Sequence, residues 1–237
     1  VNISPQGDWT PLEKSAIPKI VALVPMRHHS QRVPGKNYRL LNGIPLYQHI
    51  ISTLRHVPEV SEIVVDTDSP IIIEGLARTF PTVRVIERPA SLRADDISMN
   101  TILLHDLSQA PADFYLQTHY TNPLLKAATP SKAIHQMTAT YPKRDSLFSV
   151  TRLQTRLYDE KGAALNHNPA VLIQTQDLPP VYEENSCIYL FTADTIRKKG
   201  TRIGESPILF EIDREESLDI DTEFDFKLVE MFIKASQ

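Results

Sequence analysis

Ile20-Val21-Ala22-Leu23-Val24-Pro25-Met26, with the eleven residues that follow it, RHHSQRVPGKN (27–37), decides how this chain is read. The first run is apolar and β-branched, the composition of a strand buried on both faces of a parallel sheet. Directly after it come three cations (Arg27, Arg32, Lys36), a hydroxyl (Ser30) and a Pro34-Gly35 turn. In an open α/β sheet, ligands bind in the crevice outside the carboxyl ends of the strands. A loop with this charge and turn chemistry suits a polyphosphate. A solvated basic turn is the plainer alternative.

Outward from that stretch, strand-like and helix-like segments alternate. Leu46, Ile50, Ile51 and Leu54 recur at helical spacing, so 46–54 is expected to be a helix. A short strand over 62–65 ends in Asp66-Thr67-Asp68-Ser69; a helix over 71–80, a strand over 83–86 and a helix over 98–107 follow. Next come a strand over 113–117 and a helix over 130–140, with Pro130 near its start. This order predicts an α/β fold with a doubly wound, mostly parallel sheet. Right-handed crossovers then bring the loops after strands 20–26, 62–66 and 113–118 to one edge. The second half is less regular. A strand over 147–150 gives way to a polar excursion that returns through Pro179-Pro180 to a strand over 187–191. A helix over 193–198, a strand over 208–212 and a helix over 222–235 close the chain. The expected organisation is an extension over 1–18 and one domain over 19–237, with 152–180 inserted as an interface arm or lid.

At 237 residues and 41% hydrophobic content, the chain can bury one substantial core. A net charge of −4 and a pI near 6.1 argue against a general nucleic-acid binder. No apolar run approaches the roughly 18–20 residues that span a bilayer, and the first residues lack a signal-peptide layout. No membrane partner is expected. One cysteine, Cys187, excludes an intrachain disulfide and points to the cytoplasm. Its surroundings, SCIYLF, make it a buried structural thiol. Neither GxGxxG, a P-loop nor GxSxG occurs. The eight histidines show no close metal-ligand spacing.

Phosphates must therefore be held by Arg27, Arg32, Lys36 and backbone N–H groups, arginine as a fork and lysine as a point charge. In Asp219-Ile220-Asp221-Thr222, alternation along an extended segment puts both carboxylates on one face, about 6.5–7 Å apart at Cα. That pair can hold one Mg²⁺ while the ion keeps waters and takes substrate phosphates. Helix capping by Asp221, with Asp225 in the first turn, is the alternative, and the two roles can coexist. Thr67-Asp68-Ser69 could bind ligand or cap the next helix. Arg88-Pro89, with Asp95, Asp96 and Ser98, could read a base or cap the helix over 98–107. His119-Tyr120-Thr121-Asn122-Pro123 ends a strand on the ligand edge, with the turn-forming Asn-Pro explaining part of it.

In order along the chain, these motifs resemble the CMP-sugar synthetases, the cytidylyltransferases for acylneuraminate and 3-deoxy-manno-octulosonate. The acylneuraminate branch carries R-x-x-S-K-x-x-P-x-K-N. Arg27, Ser30, Pro34, Lys36 and Asn37 match it, while Gln31 replaces its lysine and Arg32 resembles the S-x-R-x-P-G-K of the octulosonate branch. IVVDTDS resembles V-S-T-D-S, ERPASLRADD resembles R-P-x-x-L-x-x-D, and TNPLL resembles T-S-P-L-R with Leu125 for arginine. QTQDLPPVYEENSCIYLF resembles R-R-Q-x-L-P-x-x-Y-x-x-N-G-x-I-Y, with Gln174 for an arginine and Ser186 for glycine. LDIDTEFD matches D-I-D-T-x-x-D.

The resemblance implies a Rossmann-like nucleotidyltransferase that moves CMP from CTP to an acidic, nonulosonic or sialic-type acceptor and releases pyrophosphate. By it, Arg27, Ser30, Arg32, Lys36, Asn37, Arg88 and Ser98 bind CTP. Arg27, Lys36, Asp219 and Asp221 are catalytic, the two aspartates holding Mg²⁺. His119, where the family tends to have glutamine, faces the acceptor with Tyr120, Thr121 and Asn122. The arm over 152–180 dimerises the chain and lends residues to the neighbouring site, which implies a homodimer. Departures on the acceptor side leave a phosphonate such as 2-aminoethylphosphonate as an alternative acceptor, and an inactive nucleotide-binding homologue as another reading. A glycosyltransferase using D-x-D fits less well, since its carboxylates would stand near mid-chain.

Overall fold

The computed structural model describes residues 17–29 and 33–235, so the expected extension lies almost wholly outside the described residues. Ile20–Leu23 forms β1, buried at every position. It is flanked on both sides by parallel strands, β4 (Val60–Thr67) and β6 (Phe114–Thr118), with Ala22 facing Ile63 on one side and Leu116 on the other. A strand with both edges paired and both faces covered needs the unbroken apolar run seen at 20–26. The strand stops at Leu23, ahead of Pro25, which has no N–H for the ladder. Met26 resumes pairing as a single bridge to Thr67.

Two short strands, β2 (Leu40–Leu41) and β3 (Ile44–Pro45), form a hairpin before α1 (Leu46–Leu54). Its two-residue loop is Asn42-Gly43, both at positive φ, the type I′ geometry that matches strand twist. The remaining elements are α2 (Pro70–Thr79), β5 (Arg84–Glu87), α3 (Met99–Gln109), α4 (Ala128–Thr140), β7 (Ser146–Leu153), β8 (Val181–Phe191), α5 (Ala193–Lys199), β9 (Pro207–Glu211) and α6 (Glu223–Ala235).

The seven-stranded sheet runs β5-β4-β1-β6-β8-β7-β9. β8 is antiparallel to both β6 and β7, and β9 is parallel to β7. The chain moves outward from β1 through β4 to β5, then returns to the other side of β1 as β6. That reversal makes the gap between the loops after β1 and β6 a topological switch point, where ligands settle in open α/β sheets.

Alternation along β1 divides the core. Ile20 and Ala22 pack with Ile50, Leu76 and Met137 on one face, while Val21 and Leu23 pack with Leu103, Leu107 and Ile196 on the other. A third cluster, Leu41, Leu46, Ile220, Phe226 and Val229, seats α6 and the segment before it against the hairpin and α1. Local signals support the helices. Ser69 caps α2 by accepting from the Ile72 N–H, with Pro70 in the first turn, and Gly200 closes α5 in the left-handed conformation.

The expected arm is shorter than 152–180. β7 runs on to Leu153 and β8 starts at Val181, because the two pair from Arg152 with Tyr182 to Leu153 with Val181. Residues 154–180 keep only a 3₁₀ turn at Thr175–Asp177 and one bridge between Tyr158 and Ala164. Among the described residues no helix is long and apolar enough to cross a membrane.

Candidate active site

Three segments distant in sequence meet at the switch point. After the left-handed Gly35 (φ 68°), Lys36–Tyr38 makes one 3₁₀ turn. A Cβ at Gly35 would meet the Tyr38 ring at 3.1 Å, a tight contact, and the left-handed φ is what favours glycine there. The turn buries Lys36, whose Nζ donates to the Ile220 carbonyl at 2.5 Å and stands 3.6 Å from Asp221 Oδ1. Asn37 is also buried and donates through Nδ2 to the Arg27 carbonyl, closing the loop on itself. The Ile220 N–H donates to the Thr121 carbonyl at 2.9 Å, and Asn122 Nδ2 donates to the Leu218 carbonyl at 3.3 Å. Thr121 and Asn122, expected to face an acceptor, are instead buried and strap residues 218–220 to the end of β6. The Thr121 carbonyl and the Asn122 amide N–H hold the aspartate segment in place, while Asn122 Oδ1 is buried without a hydrogen-bond partner.

The competition between capping and ligand binding at Asp221 is resolved by its neighbours. Thr222 Oγ1 accepts from the Asp225 N–H at 3.2 Å while Asp225 accepts from the Thr222 N–H at 2.7 Å, a reciprocal capping box for α6. Asp225 also takes the Asp221 N–H at 3.1 Å. Capping thus falls to Thr222 and Asp225, and the Asp221 side chain, about a third exposed (34%), faces Lys36. Asp219 is half-buried beside Tyr120, whose phenol is pushed up to about 12 by burial first and then by the Asp219 charge. Asp221 acts on the same phenol in the same sense, so both charges lie near it. Two carboxylates, hard oxygen donors at the carboxyl edge of the sheet, are the donor type that fits Mg²⁺.

On the β1 side, Arg27 reaches Asp95 Oδ1 at 2.6 Å with its guanidinium part-exposed. Asp68 accepts from the His28 N–H at 2.7 Å and Ser69 Oγ lies 2.7 Å from His28 Nδ1, so the loop after β4 braces the loop after β1. Ser30 and Arg32 lie outside the described residues. Ser98 is exposed and caps α3, accepting from the Thr101 N–H at 3.2 Å, which is the capping alternative for that segment. Arg88 is turned inward. Its guanidinium is buried and held by Asp66.

Arg88 and Asp66 belong to a sealed cluster with Asp106 and His105, in which His105 Nδ1 lies 3.3 Å from Asp106 Oδ1. Burial, then the Asp66 charge, pushes the Asp106 carboxyl up to about 9. One shared proton and one arginine therefore neutralise two buried carboxylates. Asp66, His105 and Asp106 bring ligand-type atoms within 4.8 Å of one another. Histidine spacing alone could not show this grouping, because its members lie on β4 and α3.

On the β6 side, His119 is pushed down to about 4, by burial first and then by Arg202, so its imidazole is neutral at pH 7. Its Nε2 is buried without a hydrogen-bond partner. Arg202, which no sequence motif singled out, lies 3.4 Å over the Tyr189 ring and donates from Nη1 to Gln117 Oε1. It comes from the turn after α5, where nothing in its spacing marks it for a site nearly a hundred residues away.

A family model described as cytidylyltransferase matches residues 21–235. The CMP-N,N′-diacetyllegionaminic acid synthase of Legionella pneumophila is 31% identical, across 92% of this chain and 98% of its own length. An N-acylneuraminate cytidylyltransferase of Streptococcus agalactiae is 25% identical across 88% of this chain, but only 52% of its own length is covered. Among solved structures, a CMP:2-keto-3-deoxy-manno-octonic acid synthetase complexed with CTP superposes with a TM-score of 0.70 at 17% identity, covering 92% of this chain and 100% of that one. A 4-diphosphocytidyl-2C-methyl-D-erythritol synthase from Anaerococcus prevotii superposes at 0.66 with 13% identity, covering 91% and 96%. The fold, the β1/β6 cleft and a family match over nearly the whole chain agree: this chain belongs to the cytidylyltransferase family, as a CTP-dependent nucleotidyltransferase of the CMP-sugar synthetase type.

Proposed function

We propose that this chain transfers CMP from CTP to a hydroxyl of an acidic, nonulosonic-type sugar and releases pyrophosphate. The observation that carries the reading is the junction of Lys36, Ile220 and Asp221 at the switch point, where a basic loop and two carboxylates are locked together. The L. pneumophila relative, covered almost end to end, supports an acceptor of this class.

In the reaction, the acceptor oxygen bonds to the α-phosphorus as the bond to the pyrophosphate oxygen breaks, and the hydroxyl proton leaves to solvent. Arg27 and Lys36 supply positive charge where the pyrophosphate develops, since positioning and electrostatics dominate such transfers. Asp219 and Asp221 would hold Mg²⁺, which when bound offsets charge on the phosphates and lowers the pKa of an attacking hydroxyl. Tyr120, kept protonated by burial and by Asp219, is a hydrogen-bond donor at the cleft. His119 is neutral there, so it orients or accepts without adding charge.

A homodimer is part of the same reading. Residues 154–180 expose Leu165, Val171 and, at 89%, Leu172, an apolar load that a second copy would cover. The buried, free Cys187 suits a reducing cytoplasm. Pyrophosphate release from CTP is the test, with N-acetylneuraminic acid, N,N′-diacetyllegionaminic acid, 3-deoxy-manno-octulosonic acid and 2-aminoethylphosphonate as acceptors. Release with a nonulosonic acid is expected. Release with the phosphonate alone, or with none, would overturn the reading.

A further inference from the structure

Arg202 is a largely buried cation that makes no close ion pair. Among the described residues no ion pair within 4.0 Å includes it, unlike the inward Arg88. Burial makes such a charge costly unless it is paired and hydrogen-bonded. One N–H goes to Gln117, and Tyr189, whose ring the group overlies, is its other polar neighbour. The group lies 3.4 Å over the Tyr189 ring, a cation–π contact that steadies it from one side. Such a stacked arginine is pre-organised to take a planar anion through two parallel hydrogen bonds.

Its position identifies which anion. Gln117 and Tyr189 face each other across β6 and β8, and His119 follows Gln117 on the same face. Arg202, Asp221 and Lys36 all act electrostatically on His119, so the histidine is near enough to feel all three charges. The phosphate-type cations Arg27 and Lys36 lie on the β1 side, and Arg202 lies on the β6–β8 side. Glu184, the nearest acid acting on Arg202, is engaged with the Tyr189 hydroxyl.

We infer that Arg202, steadied by Gln117 and Tyr189, is the specificity-determining residue that grips the carboxylate of the acceptor. The inference rests on the proposed transfer to an acidic sugar and adds the group that recognises the acid. The carboxylate completes the missing ion pair, and its sugar then lies toward His119 and the aspartates.

The experiment compares each acid that supports pyrophosphate release with its methyl ester, in wild type, Arg202→Ala and Arg202→Lys, with CTP affinity measured on the same samples. Loss of a charged hydrogen bond raises the Arg202→Ala acceptor KM about 10- to 100-fold. The wild-type preference for acid over ester disappears in Arg202→Ala and partly returns in Arg202→Lys, while the CTP Kd is unchanged. A purely structural role would weaken acid and ester alike. Preference retained in Arg202→Ala, or a CTP Kd that rises with the acceptor KM, overturns the inference while the proposed function stands. No release by wild type with any acid overturns both.

Discussion

Lys36 with Asp221, and Arg88 with Asp66, are two cation–carboxylate pairs on one sheet edge, built for opposite purposes. The Arg88–Asp66 pair is sealed, with both side chains at most 1% exposed, and a third acid, Asp106, shares its space. The Lys36–Asp221 pair is sealed on the lysine side only, at 6%, and open on the aspartate side. A sealed pair can only hold the fold, since every polar group it leaves unmatched is expensive. A half-open pair keeps carboxylate oxygens available to a ligand while the lysine fixes their position. The same contrast explains why Arg88, matched to a nucleoside role by motif, is internal here: this chain has Asp66 where the resembled V-S-T-D-S motif has serine.

The largest stability effect should come from breaking the sealed pair. Arg88→Leu leaves Asp66 buried and uncompensated, and chemical denaturation should show a loss of about 3–5 kcal/mol. Replacing Asp66 by leucine as well should restore much of it; a double variant as unstable as the single one would contradict the closed-pair description. Lys36→Met should cost less, about 2 kcal/mol, because only the Ile220 carbonyl is orphaned in the interior. It should also weaken CTP binding by about tenfold or more, read by calorimetry, which no change in the sealed pair is expected to match.

The third test uses pH. Asp106 holds its proton in the folded protein to about pH 9, whereas the unfolded group ionises at its ordinary value of 3.8. The folded state therefore binds more protons across that window. The stabilisation is complete below the lower value and is lost as pH rises through the upper one, by at most about 1.4 kcal/mol per pH unit. Asp106→Asn should flatten this decline between pH 6 and 9 in thermal melts; an unchanged slope would count against the shared proton. The smallest effect is Thr222→Ala, which removes the α6 cap and should cost about 1 kcal/mol without touching the sealed pair.

Much of the fold was legible because its signals are local. The apolar run at 20–26, the helical spacing of 46–54 and the β-α alternation each translate directly into an element. The Asn42-Gly43 hairpin has a clear turn signal, but its strands have only two residues each and carry no alternation to read. The length of β8 was not legible, since Tyr182-Glu183-Glu184 reads as exposed loop until β7 supplies a partner. In the site, the sequence motifs name residues but not the contacts each one makes. Asp221 gave its cap to Thr222, Thr121 and Asn122 became straps, and Arg88 became internal. Arg202 escaped because its function depends on Gln117 and Tyr189, which only sheet pairing brings to it.

The most direct test of Asp219 and Asp221 as the reaction centre is single-turnover CMP transfer by Asp219→Asn, with CTP binding measured on the same protein. Transfer should fall by about three orders of magnitude, the several kcal/mol expected of a lost metal ligand, while CTP still binds through the loop over 27–37. Transfer at the wild-type rate would contradict the account.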